Sequence, residues 1–511
     1  MGGGLTFLFM RRPRYPISIE SRAIVTLAPL FQDHAVLQCD TPLPIWGHAA
    51  AGERVTVMFK GQRVSTVTDG VGHWEVFLDG VPASAEPAEL VATGGNTVTV
   101  RDVLVGEVWL ASGQSNMARP LSDARNAESE IAAANFPLLR RFNVQNTVAD
   151  RPATTVPGRW QVCEPQVAGG FSGVGYFFAR DLHRKLGVPV GLIQSTWGGT
   201  PIEAWISDAA LRSTSVFSKI DARWHRDCAE YAERKVLYPA EQAAWGRADE
   251  HSKATRTHNM MPWPKVPAGP GTQDALSGLY NGMIAPLQPG ALRGIIWWQG
   301  ESNWMRVSEY AELFQTMIRS WRAAWRRDNL PFYFVQLANY KLGCDSTDRA
   351  WAQLREAQAQ ALTLSSTAMA VTIDLGDPFE MHLSNKQEIG RRLALIAQTQ
   401  VYGIPEEWSG PVFAFAEREG AAMRVHFTHA TPVLVARRTP LPSFELAGMD
   451  RVFHPATARI ERDTLLVAST HVPAPVAVRY AWSNAPEAGL YNRASLPAAS
   501  FRSDSGRQRN T

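Results

Sequence analysis

Four short apolar segments in the middle of the chain are each followed at once by a polar turn. They are residues 108–111, 188–195, 295–298 and 368–373. Segments with helical periodicity lie between them, for example residues 313–325. Strands that alternate with helices predict a parallel, doubly wound sheet. Because the carboxyl ends of parallel strands meet at one edge, we expect the four polar turns to converge there.

The first polar turn, residues 113–117 (Gly-Gln-Ser-Asn-Met), places a serine just after a strand. A hydroxyl at that position is exposed at the carboxyl edge of the sheet, where open α/β sheets carry their chemistry. Ser115 is therefore a candidate nucleophile. The same position also suits a serine that caps the following helix.

The fourth polar turn is an acidic loop that ends at His382. Ser384 and Gln387 have the spacing of a capping box, which predicts that a helix begins there and holds the loop. An imidazole mounted in this way is a candidate general base, and an upstream carboxylate, Glu380 or Asp377, would orient it. An isolated histidine also fits a hydrogen-bonded structural role.

The second and third polar turns, residues 196–205 and 299–303, offer hydrogen-bond donors. Acyl transfer develops an oxyanion, which backbone N–H groups of a glycine turn and a side-chain amide can stabilise. Gly198 or Gly199 provides the first kind of donor. Gln299 or Asn303 provides the second. Each turn taken singly also fits a plain connection between a strand and a helix.

Four sequence blocks together resemble one known family. The blocks are residues 113–117, 197–205, 297–303 and the acidic loop before His382. They resemble the sialate O-acetylesterase family, within the SGNH hydrolase superfamily. Other segments are also similar to this family, so the resemblance covers residues from about 27 to 503. It implies a carboxylic ester hydrolase with an SGNH-type, flavodoxin-like parallel sheet, flanked by β-rich N-terminal and C-terminal modules.

The resemblance also implies a role for each matched position. Ser115 matches the nucleophile and His382 the general base. A backbone N–H of the pair Gly198–Gly199 matches an oxyanion donor. Gln299 falls where the third block supplies an amide donor, and Asn303 lies in the same block as a candidate oxyanion or substrate-binding residue.

The acidic residue is the one departure from the family pattern that bears on the chemistry. The family commonly has an aspartate two residues before the histidine, where this chain has Glu380. Glutamate is longer by one methylene, so its reach differs. Asp377 therefore remains the alternative orienting acid.

The function that the resemblance implies is removal of the 9-O-acetyl group of sialic acid through an acyl-enzyme on the serine, without a cofactor. A second hypothesis keeps this chemistry and changes the substrate to acetylated xylan or another acetylated glycan. A hypothesis of a different class is a glycan-binding protein with an inactive site.

Composition narrows the partners of this chain. A net charge of +3 over 511 residues predicts neither a nucleic-acid nor an anionic-membrane partner. The chain contains no run of eighteen apolar residues, so we expect no membrane span. The four cysteines are widely scattered, so we expect them to be free and buried, with no zinc or other metal site. The oligomeric state stays open.

The chain divides by pattern into five parts. We expect a disordered or adventitious segment at 1–22, a β-sandwich at 23–105, the catalytic domain at 106–405, a β domain at 406–503 and a tail at 504–511.

The catalytic domain carries a charged helical insertion at 207–274. The insertion contains Trp224, Trp245 and Trp263, which suit ordinary packing or stacking on sugar rings. The first residues do not have the layout of a signal peptide. For the chain as given this favours the cytoplasm, whereas a different start site would allow a periplasmic or secreted protein.

Overall fold

The middle of the chain alternates strands with helices, whereas strands dominate both ends. The structure is a computed structural model that describes residues 24–430 and 432–504. The segment predicted as disordered, residues 1–22, lies outside the described residues, as does the predicted tail apart from Asp504. The fold is mixed α/β.

The N-terminal part consists of eight strands, the last of which is unusually long. The strands are β1 Thr26–Leu27, β2 Val36–Gln38, β3 Leu43–His48, β4 Arg54–Phe59, β5 Gln62–Val67, β6 His73–Leu78, β7 Ser84–Thr93 and β8 Thr97–Gly113. Strands β1, β3 and β6 form a small sheet. The first half of β8 pairs with β7 antiparallel and with β2 parallel. Strand β8 therefore runs through the predicted domain boundary at 105–106, which stays a prediction.

The second half of β8 lies in the middle of a parallel sheet. The other strands of this sheet are β9 Phe136–Val144, β10 Gly158–Cys163, β11 Val190–Thr196, β12 Gly294–Trp298, β13 Phe332–Val335 and β14 Thr367–Ala370. Their order is β10-β9-β11-β8-β12-β13-β14, and only β10 runs antiparallel to its neighbour. The four apolar segments of the sequence thus lie side by side or two strands apart, and their polar turns share one edge.

Helices connect these strands. They are α1 Ser115–Ala118, α2 Ala127–Ala132, α3 Pro165–Ala168, α4 Gly173–Leu186, α5 Asp208–Arg212, α6 Phe217–Thr255, α7 Val307–Ala324, α8 Ala350–Ala359 and α9 Lys386–Gln400. Short 3-10 turns cover Leu121–Asp123, Ile202–Trp205, Ala285–Leu287, Glu301–Arg306 and Gln360–Thr363, and a π turn covers Tyr280–Ile284. Helix α6, with 39 residues, lies within the predicted insertion.

Two details of the sequence prediction are wrong. Helix α9 is capped by Asn385, whose side chain accepts from the Glu388 N–H, and not by Ser384. Cys39 and Cys163 are buried as expected, but Cys228 and Cys344 are only half-buried, since they lie on the insertion helix and on a surface loop. All four cysteines are free.

The C-terminal part is antiparallel. Its strands are β15 Val412–Glu419, β16 Ala422–Thr428, β17 Leu434–Ala436, β18 Phe444–Ala447, β19 Phe453–Glu461, β20 Thr464–Ala468, β21 Ala477–Tyr480, β22 Leu490–Asn492 and β23 Phe501–Arg502. Seven of them form one sheet, and β17 pairs with β22. This part has its own hydrophobic core, whereas the N-terminal strands and the parallel sheet share a larger one.

Across residues 24–430 and 432–504, no helix is long and apolar enough to cross a membrane. Within the same residues, no group of three or more histidine, cysteine, aspartate or glutamate side chains is placed to hold a metal ion.

Candidate active site

Ser115 follows the carboxyl end of β8 and begins the short helix α1. The turn before it depends on Gly113, which has a φ of +133° and on which a Cβ would lie 2.1 Å from the carbonyl oxygen of Trp298. Only glycine fits that approach. The Nε2 atom of His382 lies 3.0 Å from the Ser115 hydroxyl oxygen, although the two residues are 267 positions apart.

The two residues that flank Ser115 fix the turn of the candidate nucleophile, residues 113–117 (the nucleophile turn), to neighbouring loops. The Gln114 side-chain oxygen accepts from the Gly300 N–H at 3.3 Å. The Asn116 amide donates to a Glu301 carboxylate oxygen at 2.7 Å and to the Met381 carbonyl at 3.2 Å. The serine is therefore held against both the third polar turn and the histidine loop.

Lys386 is a buried cation beneath the nucleophile turn that the sequence analysis missed. Its Nζ donates to the Asn116 carbonyl at 3.1 Å and side-chain oxygen at 2.8 Å, and lies 4.7 Å from the centre of a Trp298 ring. Burial lowers the pKa of Lys386 to about 7, although Glu301 opposes the shift. Burial also raises the pKa of the Glu301 carboxyl. The available signal was a lysine four residues after the histidine, on the buried face of α9.

Neither predicted acid forms a hydrogen bond with the His382 ring. A Glu380 oxygen lies 3.8 Å from Nδ1 and accepts instead from the backbone N–H of His382 at 2.8 Å. The other Glu380 oxygen lies 2.7 Å from Nζ of Lys253, on helix α6. Burial alone would raise the pKa of Glu380, but Lys253 and the His382 N–H hold it below its usual value. Asp377 accepts from the Phe379 N–H at 2.8 Å.

Arg119, the residue directly after α1, lies beside Nδ1 of His382, where the orienting acid was expected. Its Nη2 lies 3.2 Å from Nδ1 of His382, and its Nη1 donates to Asp123 at 2.8 Å. Burial lowers the pKa of His382 to about 4, and Arg119 adds to the shift while Glu380 opposes it. The imidazole is therefore neutral at ordinary pH, which a general base requires.

Gly198 and Gly199 lie beside the serine for two different reasons. A Cβ on Gly198 would lie 3.3 Å from the Ser115 Cβ, which is a tight contact. Gly199 has a φ of +75°, a conformation that favours glycine. The carbonyl of Gly198 accepts from the Gln273 amide at 3.3 Å, which fixes the turn from behind.

Gln299 and Asn303 are buried, and their amides are used inside the loop network. Gln299 donates to the Thr200 carbonyl at 3.2 Å and to the Asn303 oxygen at 2.7 Å. Asn303 donates to Glu203 at 2.8 Å and accepts from the Ile202 N–H at 3.0 Å. The two amides thus join the third polar turn to the glycine turn.

The site as a whole places a serine hydroxyl against a neutral imidazole, beside a glycine turn. In this arrangement the imidazole can take the proton of the serine hydroxyl, and the glycine turn can stabilise a nearby oxyanion.

Comparisons with known proteins agree on one family. The family profile described as carbohydrate esterase, sialic acid-specific acetylesterase, matches residues 105–238 and 259–399. Lys253 falls between the two matched segments. The sialate O-acetylesterase of Rattus norvegicus is 30% identical over 505 residues, covering 89% of this chain and 90% of that protein. The sialate O-acetylesterase of Homo sapiens is 29% identical over 506 residues, covering 89% of this chain and 88% of that protein.

A solved structure is also similar over most of the chain. It is a carbohydrate acetylesterase from Xanthomonas citri, 38% identical, with a TM-score of 0.80. The match covers 94% of this chain and 100% of that one. Because the profile spans more than half of the chain and the 30% identity extends along most of it, this chain belongs to the family of sialic acid-specific acetylesterases among the carbohydrate esterases.

Proposed function

We propose that this carboxylic ester hydrolase removes O-acetyl groups from acetylated sugars, with 9-O-acetylated sialic acid as its substrate. The observation that carries the proposal is the 3.0 Å distance between His382 Nε2 and the Ser115 hydroxyl, which is within reach for proton transfer. Family membership supports the acetyl ester. The named substrate of the rat and human relatives supports sialic acid.

The reaction has two steps. His382 takes the proton of Ser115 as the serine oxygen attacks the acetyl carbonyl, and the imidazolium then protonates the departing sugar oxygen. This leaves an acetyl group on Ser115. Water, deprotonated by His382, attacks that ester, and acetate leaves as the proton returns to the serine. The atoms of ester and water balance without a cofactor.

The first step requires that Nε2 of His382 carry no hydrogen, so the ring hydrogen lies on Nδ1. Arg119, a donor 3.2 Å from Nδ1, fits the other tautomer. Arg119 therefore turns toward Asp123, to which it already donates, and Glu380 closes its 3.8 Å gap to accept from Nδ1. This assigns Glu380, and not Asp377, as the orienting acid.

The oxyanion is held by backbone N–H groups of Ser115 and of the turn Gly198–Gly199. The first N–H groups of a helix have no partner within it, which suits Ser115 at the start of α1. Both amide hydrogens of Gln299 have acceptors, and the Asn303 amide donates to Glu203, so we infer that these two residues support the glycine turn from behind.

The experiment measures acetate release from 9-O-acetylated sialic acid and, in parallel, from an acetylated xylo-oligosaccharide. Ser115→Ala is the control, and we expect it to lower kcat by a factor of roughly 10⁶. Rapid release from the sialic acid that depends on Ser115 supports the proposal. Release only from the xylo-oligosaccharide keeps the mechanism and replaces the substrate. Release from neither favours the glycan-binding hypothesis.

We also propose that residues 106–405 form a doubly wound SGNH-type domain, with β-rich modules at 23–105 and 406–503. The parallel strands and the separate C-terminal core support this division. Residues 401–411 carry no helix or strand, so limited proteolysis is expected to cut there before it cuts within β8. Early cleavage within β8 would contradict the proposed organisation.

A further inference from the structure

A polar pocket lies on one face of the two strands at the edge of the parallel sheet. In the register of β9 and β10, Arg141 is opposite Gln161 and Asn143 is opposite Arg159. Opposite residues of an antiparallel pair, and residues two apart on one strand, point to the same face. These four side chains therefore form a two-by-two array, with the two arginines on a diagonal.

Arg141 is buried, with 6% of its surface exposed. Its guanidinium donates to the Gly170 carbonyl and the Gln161 side-chain oxygen, and lies 4.5 Å from the centre of the Phe171 ring. Its Nε is buried without a hydrogen-bond partner. Leaving a buried charge without a counter-charge is costly, so this cation calls for an anion.

The described part of the chain supplies no such anion. Among residues 24–430 and 432–504, neither Arg141 nor Arg159 forms an ion pair with a carboxylate, and the acceptors of the Arg141 guanidinium are the neutral oxygens of Gly170, Gln161 and Gln194. Burial, together with the neighbouring Arg159, lowers the pKa of Arg141 to about 10. Two guanidinium groups thus share one surface, and in the described part of the chain neither is paired with a carboxylate.

The pocket above this array has a volume of about 560 Å³. Besides the array, it is lined by Gln145, Gln166, Val167 and Gly170. Four amide side chains line its walls, against a single apolar side chain. Amides are suited to the hydroxyl groups of a sugar, and a guanidinium binds a carboxylate in a bidentate geometry.

We propose that this pocket binds a sugar that carries a carboxylate, with the carboxylate on Arg141 and Arg159 and the hydroxyl groups on the surrounding amides. The site contains none of the residues that act on the acetyl ester, and the inference goes beyond the proposed function. A hydrogen-bonded path joins the two regions. Arg141 donates to Gln194 at 3.4 Å, Gln194 accepts from the Ser172 N–H at 2.8 Å, and the Ser172 hydroxyl donates at 2.6 Å to the carbonyl of Met117, in the turn that carries Ser115.

The test is isothermal titration calorimetry of the full chain with glucuronic acid and with glucose. The two sugars differ at C6, which is a carboxylate in glucuronic acid and a hydroxymethyl group in glucose. We expect glucuronic acid to bind and glucose not to bind. Arg159→Gln is expected to raise the Kd for glucuronic acid about tenfold or more, and Arg159→Glu to abolish binding by supplying an internal counter-charge to Arg141. Arg159 is exposed, so neither change threatens the fold. Arg151→Gln, at another exposed arginine, is the matched control.

Titration with inorganic phosphate separates a sugar acid from a bare oxyanion. Binding of phosphate without glucuronic acid would overturn the proposal, as would equal binding of glucose, or an unchanged Kd in Arg159→Gln. Hydrolysis of a simple acetyl ester by Arg159→Gln is expected to equal that of the wild type. This separates failure of the pocket from failure of the proposed function.

Discussion

The charge of the His382 ring is set first by its burial and then by the charged side chains around it. Burial has the largest effect on its pKa, Arg119 has the next, and Lys386 and Lys253 add smaller effects in the same direction. Only Glu380 favours the protonated ring. With a pKa near 4, the imidazole is a weaker base than a free histidine, but it is neutral over a wider range of pH.

This predicts the acid limb of the activity profile. Protonation of His382 removes the base, so kcat/KM is expected to fall as the pH drops through about 4, and not near 6.5. Arg119→Gln removes a cation, raises the pKa and moves the limb to higher pH. Glu380→Gln removes the one favourable charge and moves it lower. A pH profile of acetate release checks both directions. A wild-type acid limb near pH 6.5 that does not move in Arg119→Gln would contradict the assignment of this limb to His382.

The buried Lys386 gives a second prediction. Lys386→Met removes the donors to Asn116 and the basic group that favours the ionised form of Glu301, so the free energy of unfolding is expected to fall by about 1–3 kcal/mol. Because Asn116 follows Ser115, the proposed nucleophile, kcat should fall about tenfold or more, while KM changes little. Urea unfolding and steady-state kinetics measure the two effects. Gln387→Met, at the exposed next position, is the control, and a wild-type kcat in Lys386→Met would refute the positioning role.

The sequence predicted that Ser115 and His382 act together, because a polar turn follows an apolar segment at each of them, and their side chains lie 3.0 Å apart. It did not identify the groups around the imidazole. Arg119 lies 263 positions from His382, and Lys253 belongs to the insertion helix, so no local spacing marks either one. The hydrogen bonds of the Gln299 amide could not be predicted from its position either, because its acceptors depend on how two loops pack together.

At the scale of elements, helix α9 shows how a correct pattern can be misplaced by one residue. Two overlapping pairs, Ser384 with Gln387 and Asn385 with Glu388, have the capping spacing. The Ser384 carbonyl accepts from the N–H groups of Arg125 and Lys386, which keeps Ser384 in the preceding turn. Asn385 is therefore the cap. The strands and helices of the sheet were predictable because their periodicity is local.

The cap offers a matched pair of substitutions. Asn385→Ala is expected to lower the free energy of unfolding by about 1 kcal/mol, because the Glu388 N–H loses its acceptor. Ser384→Ala, at an exposed residue outside the helix, should change it by less than about 0.5 kcal/mol. Denaturant unfolding measures the loss of stability in both variants. A larger loss in Ser384→Ala than in Asn385→Ala would identify Ser384 as the cap.

At the scale of the whole molecule, one buried asparagine joins the C-terminal part to helix α8 and to the loop before it. Asn484 accepts from the Trp351 N–H at 2.9 Å and donates to Asp345 at 3.0 Å. The fully buried Arg355 donates to the Asn484 carbonyl at 3.2 Å and to the Ser483 carbonyl. These partners lie more than a hundred positions apart, so sequence patterns could not reveal the junction.

Loss of this junction should weaken the molecule as a whole. Asn484→Ala leaves the buried Trp351 N–H without its acceptor and removes one of the donors to Asp345, and is expected to lower the free energy of unfolding by about 1–3 kcal/mol. Glu487→Ala, which breaks only an exposed ion pair with Arg438, should change it by less than about 0.5 kcal/mol. Urea unfolding followed by tryptophan fluorescence measures both. Equal effects would contradict the proposed importance of the junction.

The long strand β8 has a consequence for any shortened form of this protein. Its first half is covered by β7 on one side and β2 on the other, while its last residues lead to Ser115. A protein that began near residue 97 would present that half as an uncovered strand, with rows of free N–H and C=O groups open to a second copy. Such edges promote self-association. Solubility, and not only catalysis, therefore depends on the N-terminal strands.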